Sequence, residues 1–148
     1  MGGEHILIID DDPDVREALK LMLTPGGFEL TMCANGPQGR AAAHKRRPDL
    51  IILDIMLSTV SEGFDIAYDF GKDETLAKVP IIMISSIGNT IGMDYAKEIG
   101  ANYMPAQNFL SKPLETATML EAVEEALAIA RKGGDFTRTK WGQTPADP

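Results

Sequence analysis

The stretch that decides the fold lies near the amino terminus, where residues 5–13 have the sequence HILIIDDDP. Its first five residues are mostly branched and apolar, which predicts a buried β-strand. Three aspartates follow directly. Asp12 is expected to serve only as a helix N-cap, and Pro13 suits the first position of a helix. The stretch therefore predicts a strand, an acidic turn and a helix, the opening of a parallel α/β unit.

The same alternation continues along the chain. Further strands are predicted at 29–34, 49–53, 80–85 and 109–111, with helices at 13–23, 37–47, 62–77, 91–99 and 115–131. Apolar strands that alternate with amphipathic helices are typical of a parallel sheet covered on both faces. The expected fold is α/β, with a doubly wound, five-stranded parallel sheet.

Length and composition limit the class of protein. The 148 residues suit one domain, expected at 4–131, followed by a flexible polar tail at 132–148. Without a membrane-length apolar run or a secretory signal in the sequence, a cytoplasmic protein is expected. The net charge of −8 disfavours direct binding to nucleic acid or to an anionic membrane. Cys33, as the single cysteine, cannot form an intramolecular disulfide and is predicted to be buried.

The carboxyl ends of the predicted strands are polar. Asp10 and Asp11 follow the first strand, Asp54 follows the third, Ser85 ends the fourth and Lys112 follows the fifth. Ligands of open parallel sheets bind beyond these strand ends. We therefore expect three acids, a hydroxyl and a lysine to converge on one edge of the sheet.

Asp54 follows four apolar residues in a predicted central strand, where a solvated surface acid is not expected. Two carboxylates about 5 Å apart repel by roughly 3 kcal/mol at an effective dielectric constant near 20, and a hard cation would offset this. Asp11 and Asp54 suit Mg²⁺, which prefers oxygen ligands. A carboxylate beside Mg²⁺, with a hydroxyl and a lysine nearby, can form an aspartyl phosphate. The sequence contains no GxxxxGK[ST] loop, so the phosphoryl donor is not expected to be a nucleotide held by such a loop.

Five motifs resemble those of the response-regulator receiver domains of two-component signalling, over about residues 4–131. They are ILIIDDDP at 6–13, LDIML at 53–57, PIIMIS at 80–85, GA at 100–101 and LSKP at 110–113. The resemblance implies a flavodoxin-like sheet with strand order 2-1-3-4-5. It also implies a signalling protein rather than a metabolic enzyme. Such a protein takes a phosphoryl group from a sensor histidine kinase or a histidine phosphotransfer protein, and then binds a downstream protein target.

By this resemblance, Asp54 is the phospho-acceptor and Asp10 and Asp11 form the acid pair. Asp11 and Asp54 would bind Mg²⁺ directly, the Met56 carbonyl would be a further ligand, and Asp10 would bind through water. Ser85 would be the hydroxyl that moves to the phosphoryl group.

The resemblance also assigns Lys112 as the ion-pair partner of the phosphoryl group and Phe109 as the aromatic switch residue. Phenylalanine has no hydroxyl, so the switch is expected to act through an apolar in-or-out motion. The sequence departs from the family pattern at Ser58, which replaces a proline, and at Gly63, which comes one residue late. About five additional residues, 103–107, precede the last strand.

Met56 and Ile87 occupy the positions that flank the path of the hydrolytic water in the family. Both are apolar here. We therefore expect a poorly positioned water and a long-lived phosphoryl group.

Two other classes of function compete with the phosphorylated regulator. The longer loops suggest a receiver-like interaction module that no longer depends on phosphorylation. A phosphatase of the haloacid dehalogenase type is disfavoured, because that chemistry normally has an acid where Met56 stands. The sequence leaves formation of a homodimer open.

Overall fold

Five parallel strands form one sheet in a computed structural model, which describes residues 3–54, 60–85, 108–111 and 113–131. The strands are β1 (His5–Ile9), β2 (Glu29–Cys33), β3 (Leu50–Asp54), β4 (Ile81–Ser85) and β5 (Asn108–Ser111). Their order is β2-β1-β3-β4-β5, and every neighbouring pair is parallel. The predicted flavodoxin-like sheet is confirmed, and β3 lies at its centre.

Four described α-helices connect or follow these strands, and a short 3-10 helix, Thr24–Gly26, follows the first of them. They are α1 (Pro13–Leu23), α2 (Gly36–Lys45), α3 (Val60–Lys72) and the C-terminal helix (Thr116–Arg131). The helix predicted at 91–99 and the tail predicted at 132–148 lie outside the described residues. None of the described helices combines the length and the apolar content needed to cross a bilayer.

The sheet separates two apolar clusters, because successive side chains of a strand point to opposite faces. On one face, Leu7 and Ile9 of β1 belong to a cluster that includes Phe70 of α3. On the other, Ile6 belongs to a cluster that includes Val123 of the C-terminal helix. All of these side chains are buried, so both faces of the sheet are covered as predicted.

The start of α1 and the end of α2 have local causes. Asp12 caps α1 as predicted, since its Oδ1 accepts a hydrogen bond from the Asp14 N–H at 2.8 Å. The helix predicted at 37–47 ends earlier, at Lys45. Arg46, the C-cap, is already extended, and Pro48 disfavours helical geometry at Arg47.

The prediction of a helix at 62–77 is wrong at its carboxyl end, because α3 ends at Lys72. Asp73 Oδ1 accepts a hydrogen bond from the Thr75 N–H at 2.8 Å, which favours a turn over a further helical turn. Leu76 is nevertheless buried. A buried residue in a turn therefore produced the apparent continuation of the helical pattern.

Candidate functional site

Three carboxylates meet at the edge of the sheet where the strands end, which we call the carboxyl edge. β1 and β3 are neighbours, and Ile9 pairs with Leu53 in their register. Asp10 and Asp54 follow these two residues directly. One carboxylate oxygen from each of Asp10, Asp11 and Asp54 lies within 4.8 Å of the other two. The predicted convergence of the acids is confirmed, and we call these three residues the acid cluster.

The acid cluster is mostly withdrawn from water. Asp10 is 0% exposed and Asp54 is 2% exposed, whereas Asp11 is exposed. Burying a carboxylate is costly unless hydrogen bonds or opposite charge compensate it. Two buried acids with a third at the solvent side thus concentrate negative charge at the carboxyl edge.

Hydrogen bonds fix the orientation of Asp10 at three points. Its N–H donates to the Cys33 carbonyl at 3.0 Å, and its Oδ1 accepts from the Asp12 N–H at 2.8 Å. Its own carbonyl accepts from Arg16 Nη1 at 2.7 Å. Asp12 itself caps α1 and does not belong to the acid cluster, in agreement with the sequence prediction.

The chemistry of the acid cluster suits a hard divalent cation. Its donors are carboxylate oxygens only, and among the described residues no histidine or cysteine joins them. Oxygen donors of this kind are the ligands that Mg²⁺ takes in proteins, usually one or two carboxylates with several waters. The residues present therefore fit the predicted magnesium ion.

The remaining predicted site residues are described only in part. Ser85 ends β4 and pairs with Ser111, which brings its main chain to the carboxyl edge, and Phe109 of β5 pairs with Met83 of β4. The side chains of Ser85 and Phe109 lie outside the part of the chain that the structure describes. The same holds for three whole residues, Met56, Ile87 and Lys112.

Sequence reasoning missed Arg16, the residue that contacts the Asp10 carbonyl. The only available signal was a basic residue one helical turn after the acids, and this spacing is also common on solvated helix faces. Burial raises the pKa of the nearby Cys33 thiol, and the positive charge of Arg16 opposes part of that rise. Cys33 is buried, as predicted.

Comparison with known proteins identifies the family. The sequence matches the model of the response regulator receiver domain over residues 6–124. This chain belongs to that family. The resemblance predicted from the five motifs is therefore confirmed, and the acid cluster lies within the matched region.

This chain covers very different shares of the length of its curated relatives. The DNA-binding dual master transcriptional regulator RpaA of Synechocystis sp. is 33% identical over 123 residues, which are 83% of this chain and 48% of RpaA. Protein PilH of Pseudomonas aeruginosa is 28% identical over 124 residues, which are 84% of this chain and 98% of PilH. The chain thus spans about half the length of RpaA and nearly all of PilH.

A solved structure shares both fold and family. The receiver domain of a sensor histidine kinase from Pseudomonas aeruginosa has a TM-score of 0.72 and 25% identity. The match covers 86% of this chain and 99% of that one. In that structure a magnesium ion is coordinated in the active-site cleft.

Proposed function

We propose that this receiver domain accepts a phosphoryl group on Asp54 from a phosphohistidine, with Mg²⁺ held at the acid cluster, and in response alters a face that binds another protein. The phosphohistidine belongs to a sensor histidine kinase or a histidine phosphotransfer protein. The observation that carries the proposal is the acid cluster itself. Its central member, Asp54, ends the middle strand of a sheet that belongs to the receiver family.

In this reaction Asp54 is the nucleophile. One carboxylate oxygen attacks the phosphorus, the P–N bond to the imidazole breaks, and its electron pair stays on the ring nitrogen, which takes up a proton. The product is an acyl phosphate on Asp54.

Asp11 and Asp54 would hold Mg²⁺ directly, together with the Met56 carbonyl, and Asp10 would hold it through a water molecule. When bound, the ion neutralises charge on the phosphoryl oxygens and between the carboxylates. The three hydrogen bonds on Asp10 favour this arrangement, because one holds its side chain and two hold its main chain before any ligand arrives. Pre-organised groups need little rearrangement during the reaction.

Three residues complete the proposed switch. Lys112 pairs with a phosphoryl oxygen, and the Ser85 hydroxyl moves to donate a hydrogen bond to another. Phe109 then moves between an outward and an inward position. This coupling would carry the change at Asp54 to a protein-binding surface.

We further propose that the phosphoryl group is long-lived. Met56 and Ile87 present no polar atom from their side chains to a hydrolytic water, so that water is poorly positioned. Met56→Asn would supply an amide and is expected to speed dephosphorylation severalfold. An unchanged rate of phosphate loss in this variant would contradict the assignment.

The proposed unit is a receiver domain at 4–131 followed by a tail at 132–148, acting in the cytoplasm. Its target is a protein rather than nucleic acid or membrane, since the sequence is acidic, with a net charge of −8. RpaA is a DNA-binding regulator, and this chain covers 48% of its length.

The test uses intact mass and NMR spectra of the full chain with acetyl phosphate or beryllofluoride. With acetyl phosphate, the mass of the wild type is expected to rise by one phosphoryl group only when Mg²⁺ is present. With beryllofluoride, its NMR signals are expected to shift only when Mg²⁺ is present. Asp54→Asn should abolish both responses. Asp14→Asn removes the same charge from the exposed first turn of α1 and should leave them intact. A wild type that shows neither response would favour an interaction module independent of phosphorylation.

A further inference from the structure

We propose that Arg16 is a positioning residue for the acid pair, and that its guanidinium holds the peptide between Asp10 and Asp11 in the orientation that binds Mg²⁺. The inference rests on the Mg²⁺ site of the proposed function. It assigns a role to a side chain outside the acid cluster.

Arg16 contacts the acidic turn at both of its ends. Its Nη1 donates to the Asp10 carbonyl at 2.7 Å, and its main-chain N–H donates to the Asp12 carbonyl at 3.1 Å. The first bond joins α1 to the end of β1, whereas the second is the first helical bond of α1. Arg16 is half-buried, so the guanidinium is partly screened from competing water.

The Asp10 carbonyl is the atom that matters for Asp11. A peptide unit is planar, so holding its oxygen also fixes the direction in which the chain continues to the next Cα. The N–H and the side chain of Asp10 are already held by Cys33 and Asp12. The Arg16 bond reaches the peptide leading into Asp11, the exposed member of the acid cluster.

Charge and geometry predict opposite effects of Arg16 on metal binding. A positive charge beside a cation site repels the ion, so a purely electrostatic role means that removing Arg16 strengthens Mg²⁺ binding. A positioning role means that removing it weakens Mg²⁺ binding. Groups that orient metal ligands without touching the metal typically change affinity by 10- to 100-fold. The sign of the change therefore separates the two roles.

The experiment measures Mg²⁺ affinity of the full chain by calorimetry for wild type, Arg16→Gln, Arg16→Lys and Lys20→Gln. Arg16→Gln is expected to bind about tenfold more weakly. Arg16→Lys keeps the charge but loses the planar fork, and should fall between Arg16→Gln and wild type. Lys20→Gln is the matched control, because it removes the same charge from the exposed last turn of α1. It should not weaken binding.

A second measurement needs no metal. Hydrogen exchange of the Asp12 amide, which donates to Asp10 Oδ1, should be faster in Arg16→Gln than in wild type without Mg²⁺. Exchange in the core of β3 should stay unchanged if the effect is local.

The outcomes distinguish this inference from the proposed function. If wild type binds Mg²⁺ and Arg16→Gln binds it equally well or more tightly, the positioning role is overturned. If Arg16→Gln does not fold, Arg16→Lys decides, because wild-type affinity in that variant would also overturn the role. A wild type that binds no Mg²⁺ would overturn both proposals.

Discussion

The two edges of the sheet arrange charge in opposite ways. At the carboxyl edge, acid lies against acid, with three carboxylates within 4.8 Å. At the opposite edge, where the strands begin, acid lies against base. We call this the amino edge and define it by three ion pairs, Glu4–Arg131 at 2.9 Å, Glu29–Arg46 at 2.7 Å and Asp73–His44 at 2.6 Å.

The difference separates a structural region from a functional one. Exposed pairs of opposite charge contribute little energy each, but they balance one another within the protein. Carboxylates brought together at a strand end repel one another and attract a cation from outside. A place where three carboxylates are held within 4.8 Å of one another is therefore where a cation is expected.

The largest expected effect comes from breaking the acid cluster. Asp11→Asn removes one of the three charges without changing the size of the side chain. Mg²⁺ affinity should fall by at least about tenfold. Stability without metal should rise, on the order of 1 kcal/mol, because repulsion is relieved and Asp11 is exposed. Calorimetry and urea unfolding, each with and without Mg²⁺, measure the two changes.

Asp14→Asn is the control for this substitution, since Asp14 lies outside the acid cluster in the first turn of α1. It should change Mg²⁺ affinity little. Loss of metal-free stability in Asp11→Asn would contradict the view that the carboxyl edge is electrostatically strained.

The next effect tests whether packing beneath the carboxyl edge supports the acids. Gly39 of α2 lies over Ile9, and an added Cβ would lie 2.7 Å from Ile9 Cγ1 and overlap its Cδ1. Gly39→Ala should therefore cost about 1–3 kcal/mol through overpacking. Because Ile9 directly precedes Asp10, Mg²⁺ affinity should fall as well. Urea unfolding and calorimetry measure both changes.

Gly36→Ala provides the matched variant, because its added Cβ would overlap Ile66 of α3 instead. It should lower stability without a comparable loss of Mg²⁺ affinity. Gly71→Ala, in open space on α3, should stabilise by about 0.5–1 kcal/mol. Equal losses of Mg²⁺ affinity in the Gly36 and Gly39 variants would show that the acids do not depend on Ile9 in particular.

Most of the fold could be predicted because its cause is local. Runs such as Ile6–Ile9 and Leu50–Leu53 are apolar at every position, as strands covered on both faces require. The errors lie at helix ends. α3 ends at Lys72 because the Asp73 side chain bonds to the main chain, and this competes with a helical pattern that continues to Leu76.

The acid cluster could be predicted for a similar reason. Asp54 follows four apolar residues, so its position in the sequence already implies burial at a strand end. Arg16 could not be predicted. Its side chain contacts a carbonyl oxygen, and main-chain atoms leave no residue pattern that sequence analysis could detect.

A smaller effect is expected from breaking an ion pair at the amino edge. Arg131→Met removes the hydrogen-bonded partner of Glu4, which is 17% exposed. The loss of stability should be about 0.5–1 kcal/mol, with no change in Mg²⁺ affinity. The hydrogen bond from Arg131 lowers the pKa of Glu4. The contribution is therefore full at neutral pH and is lost as the pH falls through that lowered pKa.

Urea unfolding at neutral and acid pH measures this loss, and Glu4→Gln completes a double-mutant cycle. The gap between wild type and Arg131→Met should close at acid pH. A gap that stays constant would mean that Arg131 acts through packing of its stem instead. A change in Mg²⁺ affinity would contradict the separation of the two edges.

The smallest effect concerns the two histidines near the amino edge. His44 Nδ1 faces the Arg40 carbonyl at 2.9 Å and Nε2 faces Asp73 Oδ2 at 2.6 Å, so both nitrogens face acceptors and the ring is suited to carry two protons. Both bonds raise the pKa of His44, and the bond to Asp73 has the larger effect. Burial, helped by the charge of Arg46, lowers the pKa of His5. NMR titration should therefore show His44 losing its proton at a higher pH than His5.

The two shifts have opposite consequences for stability. The contribution of His44 is full below its ordinary pKa of 6.5 and is lost as the pH rises through the raised value. His5 opposes folding as the pH falls below 6.5, because the unfolded chain then binds a proton that the buried ring does not. Asp73→Asn should lower the pKa of His44 and leave that of His5 unchanged. If both rings titrate at the same pH in wild type, the His44–Asp73 pair does not persist in solution. Charge pairing at the amino edge would then be too weak to distinguish it from the carboxyl edge.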